Sequence, residues 1–393
     1  MKNLYNETIF LAMSGSHAYG MATPTSDYDY RGICIPPISN YIGLLDKFEQ
    51  AVGPDTYKYF PVGLLKDDPR TEDVGFEAVP DMQVMEFTKF IRLACRNNPS
   101  VMELLFTDES EFVICKPIMQ TVLDNRDKLL SKQVKARFCG YAVSQLNRIK
   151  RHKHWLDNPP THKPTREEFG LPEYTLISQD QIGAANALIQ KEVDEFVIDQ
   201  THLPEDVKIE LVSAMSKAMR AIWGSLQVDI PYPVGDGMKF ESTEDALYWG
   251  AAKEQGFSEN FIQVLVKEKQ YRTAKREWDQ YQTWLAQRNE KRAELEKKFG
   301  FDVKHASHLV RLLRMAREIL TTGKVHVKRP DAEELLAIRA GAWTYEQIIE
   351  FAELEDKALD ELVKKTSFPK IPDMFFWDNL IRELILEFNG INK

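Results

Sequence analysis

The sequence predicts an α+β protein in which a small mixed β-sheet near the N-terminus is followed by a larger α-helical body. Short apolar runs bounded by glycine and proline occupy the first third of the chain, as buried strands do. From about Pro117 onward, apolar residues recur at the three- and four-residue spacing of helices. Apolar residues make up 43% and charged residues 28% of the 393-residue chain, and this mixture is typical of a globular protein.

Three segments of the first third are predicted strands. Thr8–Ser14 (TIFLAMS) is apolar and is followed at once by a glycine, and Asp29–Pro36 (DYRGICIP) ends at a pair of prolines. Asp81–Glu86 (DMQVME) alternates between polar and apolar residues. One or two helical turns are expected over residues 17–21, and residues 50–75 are expected to be a loop with short elements.

The other segments are predicted helices. One covers Phe87–Arg96, and the next begins after Asn98, which can cap it with a proline at its first position. We divide the chain into a domain of residues 1–125 and a helical domain of residues 126–393, in which residues 165–300 are a variable insert. The predicted helices of the body are Ile118–Ser144, Gln179–Val197, Pro204–Leu226 and Ser258–Phe299, with a break at 228–240.

Composition and charge exclude several classes of protein. No apolar run approaches the roughly 18 residues that cross a bilayer, and the early acid Glu7 makes a poor signal peptide. The four cysteines show no CxxC spacing, so we expect a reducing, cytoplasmic compartment and no disulfide framework. The net charge of −9 argues against binding nucleic acid by overall charge. A local basic segment, Arg148–Lys163, is either a phosphate-binding surface or a solvated helix end.

The segment Gly15–Gly32 carries the strongest chemical signal. A predicted strand ends at Gly15 and Ser16, where a glycine lets the backbone approach a ligand and the free N–H groups of a helix start suit phosphate oxygens. A loop then leads to Asp27 and Asp29. Residues two apart on a strand point to the same side, so both carboxylates can bind hard cations for phosphoryl chemistry.

This combination of motifs resembles the nucleotidyltransferases of the DNA polymerase beta superfamily. The resemblance rests on Gly15-Ser16 followed by Asp27-x-Asp29, and the fuller string GSHAYG…TSDYDYRG is similar to a branch associated with RNA repair. Further similar segments are FCGYAVSQLNRIK, KHASHLVRLLRMAREILTTG and ELLAIRAG, whereas residues 165–300 are covered poorly. The resemblance implies a nucleotidyltransferase head, Mg²⁺ (or Mn²⁺) on the acids, and an NTP substrate, with ATP expected.

The superfamily adds a third carboxylate from a neighbouring strand, which acts with the first as general base. The resemblance places it at Asp81, at the start of the predicted strand, with Glu77 and Glu86 as alternatives. Asp81 can also be a cap or turn residue after a proline. Arg31 lies two residues beyond Asp29 and would share its side of the strand, where it either binds a phosphate or neutralises the acids.

Lys304, His308 and Arg311 form a second candidate group, because their spacing places them on one face of a helix. The apolar stripe of that helix, Ala306, Leu309, Leu313 and Leu320, lies on nearly the opposite side. The three side chains therefore face either water or the catalytic cleft, where they would donate to a triphosphate. We expect replacement of Arg311 to weaken NTP binding more than it lowers stability.

The sequence therefore predicts an enzyme that moves a nucleoside monophosphate from an NTP to an acceptor hydroxyl, with an RNA end as the leading acceptor. Transfer to a protein or a small molecule, and a catalytically silent nucleotide- or RNA-binding module, are the alternatives. A zinc site on His152, His154 and His162 is not indicated, since no cysteine or clear carboxylate accompanies them. The aromatic residues Trp278, Tyr281 and Trp284 are expected to be core or bundle contacts.

Overall fold

The structure is a computed structural model that describes residues 3–391 except 25, 54, 67, 72–79, 176–177, 199–242 and 289. The chain forms two compact units, one of residues 1–159 together with 289–393 and one of residues 160–288. The predicted helix Pro204–Leu226 and the break at 228–240 lie outside the described residues. The domain boundary at residue 125 stays a prediction.

A small mixed sheet forms near the N-terminus, as predicted. Its strands are β1 (Thr8–Ser14), β2 (Asp29–Cys34), β3 (Gln50–Val52), β4 (Asp81–Glu86) and β5 (Phe112–Cys115). Their order is β3-β4-β2-β1-β5, in which β2 is antiparallel to β1 and parallel to β4. The two edge strands, β3 and β5, lack a clear sequence signal because each is only three or four residues long.

Helices dominate the rest of the described chain, so the α+β class is confirmed. They are α1 (Leu4–Glu7), α2 (Gly15–Ala18), α3 (Phe87–Ala94), α4 (Pro99–Leu105), α5 (Pro117–Asn125), α6 (Gln133–Asp157), α7 (Gln179–Ile198), α8 (Thr243–Glu254), α9 (Glu259–Gln287), α10 (Glu290–Phe299), α11 (Val303–Thr322), α12 (Ala332–Arg339), α13 (Tyr345–Lys365) and α14 (Met374–Phe388). None of the described helices combines the length and the apolar character needed to cross a bilayer.

Three predicted element boundaries are wrong. The strand predicted to reach Pro36 ends at Cys34. The helix predicted over Ile118–Ser144 is divided into α5 and α6, because Lys132 leaves the helical pattern and donates its backbone N–H to the carbonyl of Pro369 at 2.9 Å. The helix predicted over Ser258–Phe299 is likewise two helices, α9 and α10. Apolar spacing continues across both breaks, so periodicity alone does not detect them.

The sheet separates two apolar clusters of the first unit. On one face, Phe10, Ala12 and Ile33 join the main core with helices α3, α4, α6 and α11. On the other face, Tyr30 and Met82 pack under the segment after β3. The predicted apolar stripe of α11 is buried within the main core. Side chains alternate along β2, so Asp29 and Arg31 lie on the same face as Ile33, which is the face covered by helices.

The second unit has its own small apolar core, in which Ile182, Ile189, Trp249 and Ile262 from α7, α8 and α9 are buried. The aromatic residues Trp278, Tyr281 and Trp284 follow one side of α9, with ring centres 6.3 and 5.8 Å apart. They are partly buried, so they line a helix face and do not belong to that core.

Candidate active site

A tight turn at Gly15 brings the backbone against a carboxylate. β1 ends at Ser14, and Gly15 adopts φ +64°, a left-handed conformation that glycine adopts without strain. A Cβ atom built on Gly15 would lie 1.9 Å from Oδ2 of Asp29. Only a residue without a side chain therefore lets the end of β1 meet the first residue of β2 this closely.

Asp29 and Asp81 lie directly opposite each other in the parallel pair β2 and β4. Neighbouring strands are about 4.8 Å apart, and partners in register point to the same face of the sheet. Asp27 is not on the strand, as the sequence prediction had it, but in the loop two residues before β2, where it is exposed. Burial raises the pKa of Asp29, Arg31 opposes this, and the charges of Asp81 and Asp27 add to it. The three carboxylates are therefore close enough to repel one another.

Arg31 lies between two of these acids. Its Nη2 donates to Oδ2 of Asp81 at 2.9 Å, its Nη1 donates to the Asp81 carbonyl at 3.1 Å, and it is 4.0 Å from Oδ1 of Asp29. Of the two roles left open by the sequence, these contacts favour neutralising the acids. Asp81 is more than half exposed and lies beside the cleft, since it is not among the residues that line it.

The alternative third acids behave differently. Glu86 is at the far end of β4 from Asp81 and caps α3, where its carboxylate accepts from the backbone N–H groups of Thr88 and Lys89. It also accepts from the hydroxyl of Tyr41. These bonds occupy both of its oxygens in a structural role. Glu77 lies outside the described residues.

A cleft of about 350 Å³ joins the N-terminal motif to the C-terminal helices. On its lining, the N-terminal motif contributes Gly15, Ser16, Asp27, Asp29 and Arg31. The helix α11 contributes Lys304, His308 and Arg311, and the last residue of α12, Arg339, completes the set of cationic residues. The structure thus brings eight of the nine predicted site residues to one cleft, with Asp81 adjacent to it.

Arg311 lies in a buried network. Its Nη1 is 2.6 Å from Oε1 of Glu103, and Oε2 of the same carboxylate accepts from the Tyr19 hydroxyl at 2.5 Å. The guanidinium carbon of Arg311 is 3.7 Å from the centre of the Tyr19 ring. Arg311 is only 1% exposed, so the expectation that its replacement changes stability little is wrong.

His308 is held as a neutral imidazole. Burial lowers its pKa to about 3, and the nearby charges of Arg311, His305, Lys304 and Arg148 act in the same direction. Arg311 can only donate, so Nδ1 of His308 accepts its hydrogen bond at 3.2 Å and the proton resides on Nε2. His308 therefore offers one N–H donor to a ligand and no positive charge.

Sequence reasoning missed three residues of this site. Glu103 and Tyr19 hold Arg311, and Arg339 adds a cation to the cleft. Arg339 lies within ELLAIRAG and Tyr19 within GSHAYG, two segments that carry the family resemblance, so the motifs contained both residues. Glu103 gave a weaker signal, namely an acid on the side of α4 that is otherwise apolar.

A second polar cluster surrounds His152. Its Nδ1 is 3.4 Å from Oδ2 of Asp302 and 3.8 Å from Oε1 of Glu296, and both carboxylates are buried. The ligand atoms of the three residues lie within 4.8 Å of one another, a set that could hold a metal ion. His162 contacts Glu168 instead. The carboxylates beside His152 are far from it in sequence, which is why the local pattern did not reveal them.

Comparison with known proteins agrees with the motif. Residues 2–158 match the family described as "RlaP: RNA repair pathway DNA polymerase beta family", which confirms the resemblance for the part of the chain that contains the whole sheet and α6. The chain is also similar to the protein of Enterobacteria phage T4 named "Uncharacterized 38.9 kDa protein in nrdC-mobD intergenic region". The two are 22% identical over 391 residues, which cover 97% of this chain and 98% of that protein. No solved structure matches the chain.

The family match ends before the cationic residues of the cleft. Asp27, Asp29 and Asp81 lie inside residues 2–158, whereas Lys304 and Arg339 lie outside. The similarity to the phage protein extends over nearly the full chain, so it includes both parts of the cleft.

Proposed function

We propose that the protein is a Mg²⁺-dependent nucleotidyltransferase that moves a nucleoside monophosphate from an NTP, with ATP expected, to an acceptor hydroxyl and releases pyrophosphate. One observation carries the proposal. Asp27 and Asp29 line the same cleft as the Gly15 turn and the cationic side chains Lys304 and Arg339. Metal-binding carboxylates beside a set of phosphate-binding groups are the parts that phosphoryl transfer requires.

The carboxylates fit a hard divalent cation. Mg²⁺ binds through one or two carboxylates together with substrate phosphates, and Asp27 and Asp29 supply such oxygens, with Asp81 next to them. The repulsion that helps to raise the pKa of Asp29 is what a cation would relieve. When bound, Mg²⁺ would stabilise the negative charge of the reacting phosphates and orient them, and Mn²⁺ would serve the same chemistry.

The remaining residues divide the triphosphate between them. The Gly15 backbone approaches the ligand without a side chain, and the Ser16 hydroxyl donates to the β and γ phosphates. Lys304 and Arg339 provide charge, and neutral His308 donates from Nε2. Arg311 acts chiefly by orienting His308, since its own donors are turned to His308 and to a buried carboxylate.

The reaction forms one bond and breaks one. The acceptor oxygen bonds to the α-phosphorus while the bond from that phosphorus to the oxygen bridging to the β-phosphorus breaks, and pyrophosphate carries away the bonding electrons. The proton of the acceptor hydroxyl passes to the carboxylate of Asp81, acting with Asp27. For this role Asp81 must release Arg31, which is then available to a phosphate.

An RNA end is the acceptor that we favour, because the matching family is described by an RNA repair pathway and because the chain carries a basic helix beside the cleft. The same residues would serve transfer to a protein or a small molecule. A silent binding module is the third candidate, and it differs from both in releasing no pyrophosphate.

An assay with four NTPs, each labelled at the α-phosphorus, tests the proposal. The full chain is incubated with Mg²⁺ and total RNA, total protein or small hydroxyl compounds, and pyrophosphate is measured in parallel. We expect label in RNA, one pyrophosphate per label, and no label from a γ-labelled NTP. Label in protein or small molecules would replace the acceptor. NTP binding without pyrophosphate release, in Mg²⁺ and in Mn²⁺, would contradict the enzyme.

A further inference from the structure

The helix α6 is a basic element of an acidic protein. It carries six lysine and arginine residues and one acid, Asp157, which is its last residue, whereas the whole chain has a net charge of −9. Charge so concentrated on one element indicates a surface for a polyanion more than a device for solubility.

One exposed face of α6 combines this charge with an aromatic ring. Arg137, Tyr141, Ser144, Arg148 and Arg151 follow one another at intervals of four, three, four and three residues, so they lie on one side of the helix, and all five are exposed. With a rise of 1.5 Å per residue the face is about 21 Å long. Tyr141 lies between the arginines with 38% of its surface exposed.

This face is joined to the cleft at two points. The hydroxyl of Tyr141 accepts a hydrogen bond from Nδ2 of Asn98 at 2.7 Å. Asn98 caps α4, and Ser100 in the first turn of that helix lines the cleft. Arg148 is also one of the cations whose charge acts on His308, another residue of the cleft. A ligand bound along the face therefore ends beside the carboxylates.

We propose that this face of α6, Arg137 to Arg151, is the acceptor track, which binds the single-stranded end of an RNA and directs its terminal hydroxyl to the cleft. The arginines bind successive phosphates, and the ring of Tyr141, held in place by Asn98, stacks on a base. The inference rests on the proposed function, since it names the surface by which the acceptor reaches the same carboxylates.

RNA fits the face better than an acidic protein segment does. Repeated arginines around an exposed aromatic ring match the alternation of phosphates and bases in a single strand, because every base offers a face for stacking. An acidic protein segment would use the charges and leave the ring of Tyr141 without a partner.

The test is the affinity of the full chain for a fluorescein-labelled single-stranded RNA, measured by fluorescence anisotropy at several salt concentrations. We expect Arg137→Ala with Arg148→Ala to raise the Kd about tenfold and to reduce the salt slope by about two, since each lost phosphate contact removes about one unit. Tyr141→Ala should raise the Kd about fivefold or more without changing the slope, because stacking is worth about 1–3 kcal/mol per base. Tyr141→Phe, which keeps the ring, should retain most of the affinity.

Lys150→Ala is the matched control. Lys150 is an exposed cation on the same helix, about 140° around its axis from Arg137, and its loss should leave the Kd unchanged. Equal weakening by Lys150→Ala, or an unchanged Kd in the arginine and Tyr141 variants, would overturn the acceptor track. The same variants losing label transfer to protein, with RNA binding intact, would replace RNA by a protein acceptor and also overturn it.

Failure of the proposed function is distinguished by the wild-type protein alone. If wild type transfers nucleotide to RNA and the track variants bind RNA normally, only the track is wrong. If wild type transfers nothing while the variants lose RNA binding as expected, the enzyme proposal is wrong and the RNA surface stands.

Discussion

Arg311 and Glu103 form a buried ion pair that spans 208 residues of sequence, with 2.6 Å between Nη1 and Oε1. Glu103 belongs to α4 and Arg311 to α11, and the Tyr19 hydroxyl shares the carboxylate. Because Tyr19 directly follows α2, this pair couples the C-terminal helices to the turn at Gly15. It holds the two parts of the cleft in one geometry.

The first prediction concerns the stability of this pair. Arg311→Ala leaves the Glu103 carboxylate buried without its cation, so we expect a loss of about 3–5 kcal/mol in the free energy of unfolding, measured with urea. The double variant Arg311→Met with Glu103→Leu should lose less than the sum of the two single variants. Additive losses would show that the residues do not stabilise each other.

Arg317 provides the control on the same helix. It pairs with Glu355 through two hydrogen bonds, but its side chain is 44% exposed. Solvent screens this pair, and Arg317→Ala should therefore lose about 1 kcal/mol or less. A similar loss for Arg311→Ala would mean that the buried pair adds nothing beyond an exposed one.

The second prediction concerns Asp29. Its pKa is raised by burial and by two neighbouring acids, so the native state binds more protons than the unfolded chain above the ordinary aspartate pKa. Its contribution to stability is present at low pH and is lost as the pH rises through the raised value. Asp29→Asn should therefore be as stable as wild type or more stable at neutral pH without metal, in thermal melts.

The same substitution should abolish most catalysis. Asp29→Asn removes a charge from the cation site, and we expect transfer to fall on the order of 10²-fold or more. Mg²⁺ with NTP should raise the Tm of wild type more than that of the variant. The comparison is Asp331→Asn, because Asp331, though buried, is held at a lowered pKa by Arg329 and Arg314, and its loss should reduce stability at neutral pH. An active Asp29→Asn protein would make the carboxylate structural.

The third prediction concerns the turn at Gly15. Gly15→Ala places a methyl group against the Asp29 carboxylate and holds alanine in a left-handed conformation, which costs about 1–2 kcal/mol. Gly63→Ala is the matched control, since Gly63 has φ +81° and nothing within 4 Å of an added Cβ. Both variants should lose similar stability in urea, and only Gly15→Ala should lose nucleotidyl transfer. Full activity in Gly15→Ala would contradict the close approach.

The fourth prediction concerns pH. The pKa of His308 is lowered to about 3, so the unfolded chain binds this proton more readily than the native state. The contribution of neutral His308 to stability is present above the ordinary histidine pKa of about 6.5 and is lost as the pH falls towards 3. His308→Asn should flatten the fall in stability over this range, measured by urea unfolding at several pH values. His326→Asn removes an exposed ring instead, and an equal flattening there would contradict the prediction.

Local sequence determined the strand, turn and carboxylate pattern of the site. A strand that stops at Gly15, with Asp27 and Asp29 a short loop later, requires only neighbouring residues to be recognised. The apolar stripe of α11 likewise follows from helical spacing, and its residues are buried as the spacing predicts. Such signals are readable because periodicity reports which side of an element avoids water.

The tertiary structure alone decided which elements meet at the cleft. Spacing placed Arg311 on the polar side of its helix, but packing of α11 against α4 made that position a buried ion pair with Glu103. The parallel pairing of β2 and β4 set Asp81 opposite Asp29, and Arg31 then turned towards Asp81. A polar residue is stabilised by water or by a partner equally well from the viewpoint of local sequence. Which of the two it finds depends on contacts between segments that are hundreds of residues apart.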